Sequence, residues 1–254
     1  MASEFTPGEI MVAAAAREIR DGEVAFVGMR LPLLAFCVAK RTHAPQAVGL
    51  FEAGVIRDAA PPSMLYTMCD PPNIAGAAGC VPMLTLMSVL QRGDVDVGFI
   101  GGAEVDRYGN LNTSYIGSYE APTVRLPGSG GAADIACLAR RLVIIMPHER
   151  RRFRTRVDYV TSPGFGAGPG WRARVGLPGG GPSALITTMG VFEYDRAAGE
   201  AVLRSCHPGV TVDDIRRESG DLVFRVDTTE PTAGPTAEEL SVIREYDPTG
   251  FWTG

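Results

Sequence analysis

Apolar residues in this chain cluster in short, nearly unbroken runs: 23–28 (EVAFVG), 47–51 (AVGLF), 95–101 (VDVGFIG) and 142–146 (LVIIM). Runs of this length, rich in Val, Ile and Phe, predict strands buried on both faces, as in a parallel sheet. Helix signals lie between them. Thr6-Pro7-Gly8-Glu9 has the spacing of a capping box with proline at the first helical position, and leads into an Ala-rich helix ending near Arg20. Asp21-Gly22 turns the chain. Residues 32–40 form an apolar helix closed by Thr42-His43-Ala44-Pro45, residues 81–91 a helix with a Met/Leu face, and residues 132–140 a helix of small residues. This alternation predicts an α/β fold: a three-layer open sheet, mostly parallel at its core, with helices on both faces.

Residues 58–73 read as a long connection, and Asp106-Arg107-Tyr108-Gly109-Asn110 carries hairpin-turn chemistry. The character changes after His148. Arg150 to Arg154 is a basic run expected to face solvent, and the Gly/Pro-rich stretch 164–181 reads as a mobile surface loop. Residues 184–194 and 201–205 have strand composition. Helices are expected at 212–218 and 237–244, capped by Thr211 and Thr236. No internal repeat is present. The expected organisation is a single domain over 1–254, with a core at about 6–150 and a mixed α/β part at about 151–254.

A chain of 254 residues, 45% apolar and 21% charged, is globular and long enough to bury a sizeable core. The net charge of −5 gives no electrostatic argument for nucleic acid or an anionic membrane. Lys40 is the only lysine, so positive charge is nearly all arginine. Five cysteines, odd in number and without C-x-x-C spacing, predict free thiols in a reducing compartment; Cys37, Cys80 and Cys137 have the apolar or small neighbours expected of buried ones. The first twenty residues contain Glu4 and Glu9 and lack the apolar core of a signal peptide, and no stretch is long enough to span a bilayer. A cytoplasmic location is expected.

Glu52 is the most informative candidate for chemistry. It follows the run 47–51 and precedes a small-residue turn, Ala53-Gly54. A carboxylate at the exit of a buried strand is either a turn or cap residue or a functional group, because ligands of open α/β sheets bind at the carboxyl ends of the strands. Glu104 follows the run 95–101 and, if the two strands are neighbours, points to the same edge. Gly128-Ser129-Gly130-Gly131 opens the helix at 132 and offers backbone N–H groups to an oxyanion or phosphate, or serves close packing alone. Ala133 stands where a dinucleotide fingerprint requires its third glycine. His43, His148 and His207 are far apart and lack ligand spacing, so no metal site is expected. No nucleophile-elbow pattern supports a serine hydrolase.

Together these segments resemble the β subunit of family I CoA-transferases, particularly the glutaconate CoA-transferase type. The likeness is carried by Leu31-Pro32-Leu33-Leu34-Ala35, Ala39-Lys40-Arg41-Thr42-His43-Ala44-Pro45 and Glu52-Ala53-Gly54. It continues through Gly102-Ala103-Glu104-Val105-Asp106-Arg107-Tyr108-Gly109-Asn110-Leu111-Asn112 and Gly128 to Ala136, and then through Thr188 to Phe192 and His207 to Thr211. The blocks occur in order from about residue 28 to 245.

The resemblance implies that Glu52 is a nucleophile attacking an acyl-CoA thioester, that a glutamyl-CoA thioester forms, and that kinetics are ping-pong. It implies a backbone N–H of Gly130 or Gly131 as oxyanion donor, no permanently bound cofactor, and the CoA thioester as substrate. The partner subunit's glycine-rich signature, G-G-F-x-x-x-G-x-P, is missing here, which implies an α subunit and a hetero-oligomer. The implied reaction moves CoA between acyl-CoA and a carboxylic or dicarboxylic acid. Two departures stand out. Phe51 and Ala53 offer Glu52 no side-chain hydrogen bond, and Glu104 stands where relatives often carry Gln, adding a possible second carboxylate. Relatives that hydrolyse, ring-open or decarboxylate acyl-CoA give one alternative; a non-catalytic structural subunit gives another.

Overall fold

The computed structural model describes residues 5–254. In chain order the first half contains α1 (Pro7–Ala16), β1 (Val24–Val27), α2 (Leu31–Arg41), β2 (Val48–Phe51), β3 (Val55–Arg57), α3 (Pro71–Ile74), β4 (Gly79–Cys80), α4 (Met83–Gln91), β5 (Val97–Ile100), β6 (Glu104–Asp106), β7 (Leu111–Asn112), β8 (Tyr115–Gly117) and β9 (Pro122–Arg125). The second half contains α5 (Ala132–Leu138), β10 (Arg141–Ile145), β11 (Phe153–Arg154), α6 (Trp171–Arg174), β12 (Pro182–Ile186), β13 (Gly190–Asp195), β14 (Glu200–Cys206), α7 (Val212–Glu218), β15 (Glu230–Pro231) and α8 (Ala237–Tyr246).

A ten-stranded sheet, ordered β15-β14-β13-β12-β10-β5-β1-β2-β3-β4, organises the fold. Its centre, β12-β10-β5-β1-β2, is parallel throughout. The wings turn antiparallel at β12–β13–β14 and β2–β3–β4. Strand alternation sends side chains to two cores. Ala25, Val27, Val143 and Ile145 pack with α1, α2 and α8. Phe26, Leu142 and Ile144 pack with Leu86 and Leu90 of α4, Ile135 of α5 and Ile215 of α7. The expected α/β architecture with helices on both faces is therefore the observed one. Capping boxes at Thr6/Glu9, Thr211/Asp214 and Thr236/Glu239 start α1, α7 and α8.

Four expectations need correction. The run 184–194 is not one strand but a hairpin, β12 and β13, folded at Thr187-Thr188-Met189. Apolar composition marks both strands, and it hides a turn that a threonine side chain closes: Thr187 Oγ1 accepts the Gly190 N–H at 3.2 Å and donates to its carbonyl at 3.0 Å. Cys80 is exposed because β4 is the edge of the sheet. Stretch 164–181 is anchored rather than free. Phe165 and Arg172 are buried, and the Arg172 guanidinium donates to the carbonyls of Ala136, Cys137, Gly164 and Gly179. The basic run faces solvent at Arg150 and Arg151 and partly at Arg154, whereas Phe153 is buried and Arg152 donates to the Gly102 carbonyl.

Candidate active site at the carboxyl edge of the sheet

Glu52 begins the turn between β2 and β3. Phe51 pairs with Val55 across that hairpin, leaving a three-residue loop closed by the Gly54 N–H on the Phe51 carbonyl at 2.8 Å. Gly54 has φ +101°, and a Cβ there would collide with the Val81 carbonyl. Only glycine suits that corner. Val81 in turn donates its N–H to the Gly54 carbonyl at 2.8 Å, fixing the turn against the entry to α4. The end of a central parallel strand therefore delivers one carboxylate to the sheet edge.

That carboxylate is half-buried, and its Oε1 accepts the backbone N–H of Gly131 at 3.0 Å. Gly131 is the N-cap of α5. A Cβ at 131 would lie 3.1 Å from Glu52 Cδ and 3.0 Å from Met87 Cε. A side chain at 131 would therefore crowd the glutamate and the methionine tip, and either would have to give way. Of the two glycines singled out in sequence, Gly131 supplies the donor and Gly130, at φ +49°, shapes the approach.

Glu52 lines a cavity of about 650 Å³, within the range of small-ligand sites. Its walls come from the segments following β1 (Gly28, Arg30), β5 (Gly101, Gly102) and β10 (Met146, Pro147), with Ser129 from the glycine loop. The ends of neighbouring parallel strands meet there, where the geometry of an open α/β sheet places ligands. Met68 is the contribution of the long connection 58–73. No residue of 164–181 lines the cavity; Phe251 and Trp252, near the end of the chain, do. Asp247 positions them, accepting the N–H groups of Phe251 at 2.7 Å and Trp252 at 2.9 Å.

Glu104 is not in this cavity. β1 lies between β2 and β5, so the two carboxylates do not follow neighbouring strands as expected. Past β5 the chain leaves the main sheet through Gly101-Gly102, and Glu104 opens β6 of a separate three-stranded sheet. Its side chain is buried. Oε2 accepts Asn112 Nδ2 at 2.8 Å and the Asp158 N–H at 3.0 Å, and Oε1 lies 3.4 Å from Arg154. It faces an adjoining cavity, which Arg151, Arg152 and Arg154 also line.

The histidines are engaged elsewhere. His43 caps a turn, with Nε2 3.0 Å from the Ile19 carbonyl. His148 and His207 are buried and both hold Thr187, at Oγ1 (3.0 Å) and at the carbonyl (2.8 Å) respectively. Burial pushes both pKa values down to about 4, and His207 adds to the effect on His148. Among the described residues no cluster of His, Cys, Asp or Glu is placed to hold a metal, and no helix is long and apolar enough to cross a membrane.

The family profile described as Coenzyme A transferase matches residues 9–218. The chain belongs to the coenzyme A transferase family. It is 39% identical to the B-type subunit of 3-oxoadipate CoA-transferase from Pseudomonas knackmussii, over 96% of this chain and 94% of that one. The crystal structure of glutaconate coenzyme A-transferase from Acidaminococcus fermentans superposes with a TM-score of 0.91 at 33% identity, covering 99% of this chain and 98% of that one. The decarboxylase AibA/AibB has the same fold, with a TM-score of 0.84, 31% identity and 99% and 100% coverage. These matches make the chain a β (B-type) subunit of the family I CoA-transferases, as its ordered sequence blocks implied.

Sequence reasoning had no signal for Arg30 as a cavity residue, since it sits inside an ordinary helix-entry segment. Phe251-Trp252 carried one: two adjacent aromatics in a chain only 7% aromatic, next to a Pro-Thr-Gly turn.

Proposed function

We propose that this chain is the β subunit of a heteromeric CoA-transferase. With an α subunit it moves CoA from an acyl-CoA to a carboxylic or dicarboxylic acid, and Glu52 is the nucleophile. The observation that carries this reading is the Glu52 carboxylate, delivered to the open end of β2 in a cavity of ligand size and held at 3.0 Å by the Gly131 N–H.

The Glu52 carboxylate attacks the thioester carbonyl; the C–S bond breaks and CoA leaves as thiolate, giving an acyl-glutamyl anhydride. The thiolate attacks the glutamyl carbonyl and releases the first acid as its carboxylate, leaving a glutamyl-CoA thioester. An acceptor carboxylate then attacks that thioester and expels the thiolate. The thiolate takes the acceptor's acyl group and frees Glu52. No net proton, water or electron is consumed. In each attack on the glutamyl carbonyl, negative charge develops on an oxygen derived from the Glu52 carboxylate. The Gly131 N–H, already on Oε1, is positioned to stabilise it.

The scheme uses no permanently bound cofactor. A cytoplasmic place belongs to the same proposal and is supported by five unpaired cysteines. Function by 1–254 as one domain is supported by a sheet that draws strands from both sides of residue 150.

Similarity to a decarboxylase gives a second reading. Both are tested by co-expressing the chain with an α subunit, supplying acyl-CoA without acceptor, and mapping covalent mass. Transfer predicts a CoA adduct on the Glu52 peptide, absent in Glu52→Gln and discharged by a carboxylic acid. Steady acyl-CoA consumption with no adduct, releasing CO2 or free CoA, would replace transfer by decarboxylation or hydrolysis. Full activity in Glu52→Ala would reduce the chain to a structural role.

A further inference from the structure

Arg30 is the only non-glycine among the described residues with positive φ, at φ +66° and ψ −118°. A bulky residue is costly there and persists only where its surroundings hold it. The position is the N-cap of α2, yet its side chain makes no capping hydrogen bond. The conformation instead gives the guanidinium a place in the wall of the Glu52 cavity, 5.0 Å from the centroid of the Trp252 ring.

Two arginines line this cavity. Arg152 is already engaged, donating to the Gly102 carbonyl at 3.1 Å and to Glu149 at 3.3 Å. Among the described residues no hydrogen bond or ion pair engages the Arg30 side chain. Stacking on an aromatic face leaves the in-plane N–H fork of a guanidinium free. Asp247 accepts the main-chain N–H of Trp252 at 2.9 Å, and the indole packs edge-on against Phe251 with ring centroids 4.4 Å apart. The cavity thus carries an acylatable carboxylate and, at its exposed rim, a cation over the Trp252 ring, in walls otherwise largely apolar, including Ile100 and Met68.

We infer that Arg30 is a specificity-determining residue that receives a second carboxylate, at the far end of the acyl group or acceptor acid, by a two-pronged hydrogen-bonded ion pair. The inference rests on the proposed transfer at Glu52, because the acyl carbon must sit at that carboxylate while its other end reaches the guanidinium. The same fork would also accept a phosphate of CoA, and the two sources separate experimentally.

The test uses the complex with its α subunit in a Glu52→Gln background, so that binding is measured without turnover. Dissociation constants are compared for dicarboxylic monothioesters of CoA with three- to six-carbon acyl groups and for their monocarboxylic counterparts of equal length. At least one dicarboxylic ligand should bind about 10- to 100-fold tighter than its counterpart, as expected for a charge-assisted pair. Arg30→Gly should abolish that ratio while raising or preserving Tm, since glycine adopts this backbone freely. Arg30→Lys should recover only part of the ratio. An unchanged ratio in Arg30→Gly, or no discrimination at any length, would overturn the inference. Equal weakening of both ligand classes would move the guanidinium to the CoA phosphates and also overturn it. Failure of the Glu52 reading is seen separately, as absence of the covalent adduct in the complex with Glu52 and Arg30 both present.

Discussion

The Gly131 N–H and the Glu52 carboxylate meet at 3.0 Å although 79 positions separate them in the chain. The contact joins the tip of the β2–β3 hairpin to the start of α5, two elements built on different strands of one sheet. A Cβ at 131 would press on Glu52 Cδ and Met87 Cε. Gly131→Ala should therefore push the carboxylate off its donor without disturbing the core. We expect a loss in kcat of about a hundredfold, the scale of a small displacement of a reacting group, with stability changed by about 1 kcal/mol or less. Rapid-quench measurement of the glutamyl-CoA adduct beside thermal unfolding checks both; full adduct formation would remove Gly131 from the reaction.

Glu104 is expected to stabilise the fold rather than take part in transfer. Its oxygens are taken by Asn112, the Asp158 N–H and Arg154. Glu104→Gln keeps the shape, removes the charge facing Arg154 and turns one acceptor into a donor. It should cost about 1–3 kcal/mol in urea unfolding and leave kcat/KM of the folded complex within about threefold. A large loss of turnover at unchanged stability would return Glu104 to the chemistry.

How far the sequence foretold this arrangement depends on the range of the interactions. The central strands and the helix starts were legible because their signals are local: apolar runs for β1, β2, β5 and β10, a capping box for α1, and the N-cap residues Thr211 and Thr236 for α7 and α8. The meeting of Glu52 with the glycine loop was suggested by family resemblance, since its parts come from separate segments. The placement of Glu104 failed on topology: strand order is a long-range property, and nothing in residues 95–104 states that β1 inserts between β2 and β5. The anchored stretch 164–181 failed because one arginine among many glycines organises it, and composition cannot show which carbonyls Arg172 will reach.

His148 and His207 should make the fold sensitive to mild acid. In the folded chain burial holds both near 4, against an ordinary value of 6.5. The unfolded chain therefore takes up protons first. The stabilisation is complete above about pH 6.5 and is lost as pH falls toward 4, by roughly 1.4 kcal/mol per pH unit for each histidine at the steepest. His148 lies with Nδ1 3.0 Å from Thr187 Oγ1 and Nε2 3.1 Å from Ser219 Oγ, and the Ile215 carbonyl partly offsets the effect of burial. Urea unfolding between pH 7.5 and 4.5 should show the slope, and His148→Gln should remove about half of it, leaving the His207 share; an equal slope in the variant would remove His148 from the acid sensitivity.

Arg172 tests whether the glycine-rich stretch supports the site from a distance. Its buried guanidinium reaches Ala136 and Cys137, two carbonyls in the last turn of α5, together with Gly164 and Gly179. A cation there satisfies acceptors the helix cannot satisfy itself and opposes the helix dipole. Arg172→Ala would leave several carbonyls buried without donors, and we expect a cost of about 3 kcal/mol, or roughly 6–12 °C in Tm. Arg172→Lys keeps the charge but cannot span five acceptors, the Pro163 carbonyl at 3.4 Å included, so it should recover less than half of the loss. Because α5 carries Gly131 at its other end, the folded fraction of Arg172→Ala should also form the glutamyl-CoA adduct more slowly. Normal adduct kinetics in a destabilised variant would show that α5 holds its N-terminus in place without help from Arg172.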